Sequence, residues 1–301
     1  MNSHFFSPGK LLLTAEYFVL DGALALAVPT KVGQEMTVQT EKSEQNLISW
    51  NAFHQGKLWL NMLLNFDTWE IQESNDEKSA DFLRNLLKGI SECNASAFEA
   101  GNFYSFTTNL QFPSNFGLGS SSTLINNLAE WSGTDAFELN HEFLKGSGYD
   151  IAVAKEKKTI LFSNQPEIFV KPVVFEPAYK DDIVFVHLNK KQDSRKGIEL
   201  YRSKEKNPAL IQEFSDLTER FLEAGDLNSF EKLIREHEGK MSKFLGIQTV
   251  QNELFSDYQG VVKSLGAWGG DFVLATKTEG WEHYFRSRNF TDIFNWDDLI
   301  S

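Results

Sequence analysis

The sequence predicts an α+β protein with two domains. Stretches rich in β-forming residues and stretches with helical spacing both occur, but they do not alternate regularly as in a parallel α/β fold. The length of 301 residues suits one large domain or two of ordinary size. A boundary near residue 175, around Pro172 and Pro177, would separate an N-terminal domain, residues 1–175, from a C-terminal domain, residues 176–301.

The first half of the chain reads mainly as strands. Turn signals at Asp21-Gly22, Asn51 and Asn65 separate β-forming stretches and favour an antiparallel meander. The predicted strands cover residues 11–20, 35–41, 57–63, 67–72 and 103–110. Between the last two, residues 77–93 place apolar side chains three and four apart, which predicts a helix.

The second half begins with strands and continues with helices. Residues 159–163, 167–175 and 183–188 read as strands, and residues 194–265 show a largely helical pattern. A strand, DFVLAT, follows a glycine-rich turn, and an aromatic, helix-like segment ends the chain.

Charge and composition exclude several classes of function. The net charge of −13 argues against nucleic acid and anionic lipid as partners. Cys93 is the only cysteine, which excludes a disulfide framework and a multi-thiolate zinc site. The opening residues show no secretory signal, and charged residues interrupt the longest apolar stretch, 11–29. We therefore expect a cytoplasmic protein with no membrane partner; the sequence does not indicate its oligomeric state.

A glycine- and serine-rich stretch, PSNFGLGSSST at residues 113–123, precedes a helical run. Glycines let backbone N–H groups crowd around a ligand, and a helix N-terminus favours an anion. The stretch therefore reads either as a phosphate cradle or as a turn with a serine cap.

Three further stretches carry polar residues beside glycine. Lys10 follows Ser7-Pro-Gly and precedes an apolar strand, Asp150 follows the turn Gly-Ser-Gly-Tyr, and Asp271 ends Gly-Ala-Trp-Gly-Gly. Taken singly, each has an ordinary interpretation, namely a solvated lysine, a helix-capping aspartate and a turn. The signatures of P-loop enzymes, protein kinases, serine hydrolases and HExxH metalloproteases do not occur.

Together, and in this order, SPGKLLLTAEYFVLDGALALAVP, PSNFGLGSSS, GSGYDIA and GAWGGDFVLA resemble the signatures of the GHMP small-molecule kinases. That family takes its name from galactokinase, homoserine kinase, mevalonate kinase and phosphomevalonate kinase. The resemblance implies a two-domain α+β kinase fold with its active site in the cleft between the domains. It also implies ATP and Mg²⁺ as cofactors and a small anionic acceptor. The GYD and GAxGGD motifs are most similar to those of phosphomevalonate kinase and of a bacterial subgroup named for its GYDIA sequence.

The resemblance also assigns roles to residues. Asp150 matches the catalytic aspartate, and Lys10 matches the lysine that keeps it ionised. Ser121 is the expected Mg²⁺ ligand. The ATP phosphates would be held by Gly117, Leu118, Gly119, Ser120, Ser121 and Ser122. The acceptor would be contacted by Glu16, Ser147, Tyr149, Lys191, Ser194, Gly269, Gly270 and Asp271.

The sequence departs from the family pattern at several positions. Ala15 replaces a usual glycine, Ser122-Thr123 replaces two alanines, and the stretch between Ser122 and Gly146 is shorter than usual. Trp268 stands where glycine is common, and we expect its bulk to reshape the floor of the pocket. Glu138 and Glu142 are either a second Mg²⁺ ligand or part of a solvated helix face.

One basic segment bears on the acceptor. Residues 187–206 carry seven Lys or Arg and three Asp or Glu, a local charge of +4. This segment is either a solvated face or a loop that faces an anionic substrate, as in the resembled phosphomevalonate kinases. The expected acceptor is therefore phosphomevalonate; mevalonate, another alcohol, a related decarboxylase reaction and nucleotide binding without turnover are the alternatives.

Overall fold

The predicted α+β class is confirmed, with helices and antiparallel strands in both halves of the chain. The structure, a computed structural model, describes residues 2–190, 194–266, 268 and 270–301, without the side chains of residues 194 and 195. The chain divides into two units that are discontinuous in sequence. The first unit is Met1–Gly9, Val32–Ser114 and Gly119–Lys157, and the second is Lys10–Lys31, Asn115–Leu118 and Lys158–Ser301. The division into an ATP-binding domain, 1–175, and a C-terminal domain stays a prediction.

The first unit combines a sheet with four helices. Its strands are β1 (Asn2–Leu12, whose last residues belong to the second unit), β2 (Ala25–Lys42, from Val32 onward), β3 (Leu47–His54), β4 (Lys57–Asn65), β5 (Glu70–Ser74) and β6 (Asn102–Leu110). The strand order is β5-β4-β3-β6-β2, and only β3 and β6 are parallel. The helices are α1 (Glu77–Cys93), α2 (Ser120–Ser132), α3 (Ala136–Phe143) and α4 (Tyr149–Glu156).

An aromatic and aliphatic core holds this unit together. Trp50 of β3 stacks on Phe106 of β6 with ring centroids 4.9 Å apart. The apolar face predicted for residues 77–93 is buried in α1, as Leu83, Leu87 and Ile90 show. Asp76 caps this helix by accepting a hydrogen bond from the backbone of Ser79. The predicted helix is confirmed at both ends.

The predicted turn at Asn51 is wrong. Asn51 lies inside β3, where it pairs with Asn61 of β4 and Thr107 of β6. The chain turns instead at Gln55-Gly56, where both residues have positive φ. Pairing on both sides of the strand outweighs the local turn preference of asparagine.

The second unit contains a four-stranded sheet in the order β10-β11-β9-β12. The strands of this sheet are β9 (Ile183–His187), β10 (Val262–Leu265), β11 (Phe272–Thr276) and β12 (Ile293–Asn295). The unit also contains the start of β2 and the strands β7 (Ile160–Ser163) and β8 (Phe169–Pro172). The helices are α5 (Ser194–Arg202), α6 (Pro208–Glu223), α7 (Leu227–Leu245), α8 (Val250–Leu254), α9 (Trp281–Arg286) and α10 (Trp296–Leu299). Among the described residues no helix is long and apolar enough to cross a membrane.

Two sequence predictions in this unit are only partly confirmed. The strand predicted at 11–20 ends at Leu12, and Phe18–Asp21 forms a 3₁₀ helix. The helical stretch predicted to reach residue 265 gives way to β10 at Val262. Short apolar runs of this kind fit either a strand or a helix, and only their pairing partners decide between them.

We predict that Gly33→Ala lowers the free energy of unfolding by about 1–3 kcal/mol. A Cβ at Gly33 would lie 2.2 Å from the backbone oxygen of Ser7 and 2.7 Å from the ring of Phe6. Urea denaturation measures the effect. Gly225→Ala is the matched control, because its Cβ would meet nothing within 4 Å. Equal stability of the two variants would contradict the close approach of β1 and β2.

Candidate active site

Lys10 is attached to the glycine-rich stretch through both its backbone and its side chain. Its backbone N–H donates to the carbonyl of Leu118 at 3.1 Å, and its Nζ donates to the carbonyl of Gly117 at 3.1 Å. The side chain is only partly exposed. Lys10 is therefore held against the glycine-rich stretch, and its role stays a prediction.

Gly117 and Asp271 lie against each other. Gly117 has φ +67°, and a Cβ on it would lie 1.8 Å from Oδ2 of Asp271. Only glycine fits a backbone that has this conformation and this neighbour. The carbonyl of Asp271 also accepts a hydrogen bond of 2.8 Å from Leu188, just after β9. The glycine-serine stretch and the last glycine turn, 154 residues apart by number, thus meet within the second unit.

The start of α2 carries no side-chain cap. Gly119, at φ +84°, occupies the N-cap position and supplies no side-chain acceptor. The first helical N–H groups and the positive end of the helix dipole therefore suit an anionic ligand. Ser121 is exposed, Ser120 is partly exposed and Ser122 is buried. Ser121 is thus the serine of the three that best fits a metal ligand.

Thr123, the second residue of the unusual Ser122-Thr123 pair, belongs to a buried polar network of the first unit. The hydroxyl of Thr123 donates to Oε1 of Gln34 at 2.7 Å. One turn further along the helix, Asn126 donates to the hydroxyl of Ser7 at 2.9 Å, and Ser7 donates to Asn127 at 2.7 Å. The hydroxyl that replaces an alanine methyl is therefore hydrogen-bonded, which removes most of the cost of burying it.

Asp150 is the second residue of α4, in the first unit. Gly148, at φ +98°, holds the N-cap position, so Asp150 is not the capping residue. Tyr149 and Asp150, in the first turn, and Ser147, which precedes the N-cap, are all partly buried. Helix α4 packs against α2. The structure thus fixes the aspartate at the start of a helix that contacts the proposed phosphate-binding helix.

A buried ionic cluster surrounds Glu16. The Nζ of Lys263 donates to Oε1 of Glu16, and Nε2 of His237 lies 3.0 Å from Oε2. Glu238 lies 3.6 Å from Lys263 Nζ and 3.5 Å from His237 Nδ1. Each of these side chains is at most 5% exposed. This cluster, Glu16–His237–Glu238–Lys263, is called the ionic cluster below.

The pKa of Glu16 shows which effect prevails in the ionic cluster. Burial alone would raise the pKa of this carboxyl group, but Lys263 and His237 together lower it from 4.5 to about 2. Glu16 is therefore ionised at neutral pH. Its predicted contact with a substrate stays a prediction, because the structure shows a carboxylate enclosed by its own chain.

Tyr17 is a further residue of the candidate site, and no sequence motif indicates it. Its hydroxyl accepts a hydrogen bond of 2.8 Å from the backbone N–H of Trp268. A Cβ on Gly197 would lie 2.1 Å from the same hydroxyl, and the ring stacks on Tyr201 at 5.8 Å. Burial raises the pKa of the hydroxyl, which keeps it protonated. One side chain thus contacts both the last glycine turn and the helix of the basic segment; its position beside Glu16 was the only signal.

The side chain of Trp268 is buried and is not part of an open surface. It is 5% exposed, and its indole Nε1 donates to the carbonyl of Gln248 at 3.1 Å. The bulk that we expected to reshape the pocket floor is therefore held against the segment between α7 and α8. Gly270 is buried beside it, whereas Gly269 lies outside the described residues.

The basic segment uses part of its charge internally. Lys206 lies 3.3 Å from Asp21 and 4.4 Å from the ring centre of Tyr201. Lys190 and Lys196 are exposed. Lys191 and the side chain of Ser194 lie outside the described residues, so their predicted contacts with the acceptor are not described.

No preformed metal cluster is present in the described part of the chain, where no group of three His, Cys, Asp or Glu side chains could hold a metal ion. Glu138 and Glu142 are exposed on α3. Burial raises the pKa of the Cys93 thiol, and the nearby charges of Glu142 and Glu138 raise it further. The exposure of both glutamates favours the interpretation of a solvated helix face.

Comparison with solved structures identifies the fold. The mevalonate kinase of Methanococcus jannaschii matches with a TM-score of 0.69 at 17% identity, covering 98% of both chains. Streptococcus pneumoniae phosphomevalonate kinase, in complex with phosphomevalonate and AMPPNP, matches at 0.68 and 15% identity, covering 97% of this chain and 99% of that one. Lactococcus lactis galactokinase with galactose matches at 0.65 and 12% identity, covering 97% and 92%.

These similarities extend over the full length of the chain. The chain therefore has the fold of the GHMP small-molecule kinases, as its motifs predict. No family model matches the sequence, and no curated protein matches it either. At identities of 12–17% the likeness is one of fold.

We predict that Lys263→Met destabilises the protein by about 3–5 kcal/mol, because it leaves the Glu16 carboxylate buried without its main partner. Glu16→Gln is also destabilising, and the double variant loses much less than the sum of the two. Urea denaturation at pH 7 measures all three. Additive losses would show that the two side chains do not interact.

The same pair has a defined pH dependence. Since the pKa of Glu16 falls from 4.5 to about 2 on folding, its contribution is complete above pH 4.5 and is lost as the pH falls towards 2. The stability difference between wild type and Glu16→Gln should therefore shrink over that interval. A difference that grows on acidification would contradict the assignment.

Proposed function

We propose that this protein is an ATP- and Mg²⁺-dependent small-molecule kinase that transfers the γ-phosphoryl group to phosphomevalonate. The observation that carries the proposal is the uncapped start of α2 in a chain with this fold and these four motifs. The kinase fold alone would not establish activity. Backbone donors, a glycine loop and an exposed serine at one helix start suit the positioning and charge stabilisation on which phosphoryl transfer depends.

The residues present fit a nucleoside triphosphate with Mg²⁺. Gly119 supplies an N-cap without a side chain, and Gly117 allows the backbone to approach a ligand closely. Ser120 and Ser121 add hydroxyl groups at the helix start, and Ser121 would ligate the metal. ATP with Mg²⁺ would supply the phosphoryl group and neutralise its charge. These protein groups hold the phosphates without needing a strongly basic surface.

Lys10 and Asp150 have the chemistry that the transfer needs. The ammonium group of Lys10, fixed on the carbonyl of Gly117, brings positive charge to the glycine loop. The carboxylate of Asp150 would orient the acceptor and take up a hydroxyl proton where the acceptor is an alcohol. Phosphoryl transfer depends mainly on such positioning and charge neutralisation.

The acceptor follows from charge. The Streptococcus pneumoniae neighbour was solved with phosphomevalonate, and a doubly charged phosphate group needs cationic partners in an enclosed site. In this chain the exposed Lys190 and Lys196 flank the start of α5, the helix whose Gly197 contacts Tyr17. These lysines are the cations that we assign to a phosphate-bearing acceptor in the cytoplasm.

We predict ADP formation with one acceptor of a panel that contains phosphomevalonate, mevalonate, homoserine and galactose. Phosphomevalonate should give the highest kcat/KM in a coupled assay of ADP release. A preference for mevalonate would change the proposed acceptor but would still support a kinase. Release of CO₂ would indicate a decarboxylase. ATP binding by calorimetry without turnover of any acceptor would overturn the proposed activity.

Substitutions test the assigned residues. Asp150→Asn and Lys10→Met should each lower kcat at least about 100-fold, within the range for a positioned acid–base or charge-stabilising group. Ser121→Ala should raise the Mg²⁺ concentration needed for half-maximal activity. Asp81→Asn and Lys88→Met, exposed on α1, are matched controls. Full activity of both Asp150→Asn and Lys10→Met would refute the site.

Gly117→Ala tests the glycine loop separately. The added Cβ would collide with Asp271 and would require a strained positive φ, so we expect KM for ATP to rise about tenfold or more. Initial rates at varied ATP measure the effect. Gly239→Ala is the control, because its Cβ would meet nothing within 4 Å. An unchanged KM would show that this loop does not hold the nucleotide.

A further inference from the structure

Strand β8 has an open edge. It pairs with β7 along one side, with Phe162 opposite Val170 and Ser163 opposite Phe169. Among the described residues no strand pairs with its other side. Ile168 and Phe169 are 50% and 46% exposed, which is unusual for large apolar side chains beside an unpaired strand.

The register shows which backbone groups face outward. Val173, one residue beyond β8, donates its N–H to the carbonyl of Thr159, so position 173 bonds towards β7. In an antiparallel pair this direction alternates, so positions 169 and 171 also face β7. The N–H and C=O groups of Ile168 and Val170 therefore point away from the sheet, where another strand can use them.

The sequence of this edge is complementary to itself. It reads Glu167-Ile-Phe-Val-Lys171, with an acid at one end and a base at the other. If a second copy pairs antiparallel about Phe169, Glu167 of each copy lies opposite Lys171 of the other. In the same register Ile168 lies opposite Val170, which joins the outward groups in four backbone hydrogen bonds, and the two Phe169 side chains meet at the centre.

The two flanking prolines limit this pairing to a short ladder. Pro166 lies opposite Pro172 in the same register, and proline has no N–H to donate. The ladder therefore ends at both prolines, so that it joins two copies and does not extend. A register shifted by two residues would lose the Glu–Lys pairs and place a proline against an outward-facing group.

We propose that the open edge of β8 is a two-fold interface through which two copies of this chain associate. The partner is a second copy because the charge pattern and the hydrogen-bonding groups match the same segment turned by 180°. A single pair of short strands covers less surface than a stable interface of about 1,200–2,000 Å², so the dimer is weak and concentration-dependent. The interface is independent of the proposed kinase activity.

Sedimentation velocity over a range from about 1 to several hundred micromolar tests the proposal. The wild type should shift from monomer to dimer with rising concentration. Glu167→Lys and Lys171→Glu should each raise the dimer dissociation constant roughly tenfold, because each places like charges opposite one another twice. The double variant, Glu167→Lys with Lys171→Glu, should restore wild-type association.

Mixing the two single variants gives a stricter test. A heterodimer of Glu167→Lys and Lys171→Glu has opposite charges at both pairs, so the equimolar mixture should associate more strongly than either variant alone. The rescue, together with the weaker association of each single variant than of the wild type, distinguishes the antiparallel register from a parallel one, in which the wild type itself would place like charges opposite each other. Circular dichroism confirms that each variant is folded before it is compared.

Cross-linking tests the register. Phe169 of one copy would lie opposite Phe169 of the other in a non-hydrogen-bonded pair. Their Cα atoms would be about 4.5 Å apart, a distance that suits a disulfide. Phe169→Cys in a Cys93→Ser background should form a covalent dimer on mild oxidation, whereas Trp59→Cys, equally exposed on β4, should not. A chain that stays monomeric throughout, or a dimer unaffected by the charge variants, would overturn the proposal.

Discussion

The geometry of the second unit depends on burying one carboxylate, that of Glu16. A buried carboxylate is costly unless a cation and hydrogen bonds accompany it; Lys263 from β10 supplies both, and the ring of His237 from α7 lies 3.0 Å from the other carboxylate oxygen. The residues on either side of Glu16 both have positive φ, 58° at Ala15 and 61° at Tyr17. Such a backbone persists only where the surroundings fix it, and the ionic cluster fixes it from two directions.

The backbone conformation of Ala15, Glu16 and Tyr17 determines the direction of the Tyr17 side chain. Its hydroxyl reaches the backbone of Trp268 and lies against Gly197, so the last glycine turn and helix α5 are held relative to the same side chain. The turn in turn places Asp271 against Gly117, whose carbonyl accepts the hydrogen bond from Lys10. A continuous series of contacts therefore connects the ionic cluster with the lysine and the glycine loop assigned to nucleotide binding.

Local signals explain what the sequence predicted correctly. Helix α1 follows from its apolar spacing and its Asp76 cap. The motifs singled out Lys10, Gly117 and Asp271, whose roles stay predictions, and no pattern showed that these residues meet. The ionic cluster could not be predicted, because Glu16 and Lys263 are far apart in sequence and each looks like an ordinary surface charge. The turn predicted at Asn51 is wrong for a related reason. Strand pairing, which is not local, outweighs the turn preference of this residue.

The departures from the family pattern can be understood from the same contacts. An alanine at positive φ costs about 1–2 kcal/mol relative to a relaxed backbone. At Ala15 a hydrogen bond works against this cost, since the backbone N–H of Ala15 donates to Nε2 of the buried His237 at 3.2 Å. Trp268 likewise gains a hydrogen bond at each end, from its backbone to Tyr17 and from its indole to Gln248. Ala15 and Trp268 are thus both hydrogen-bonded to neighbouring residues, and these bonds hold the two segments in place.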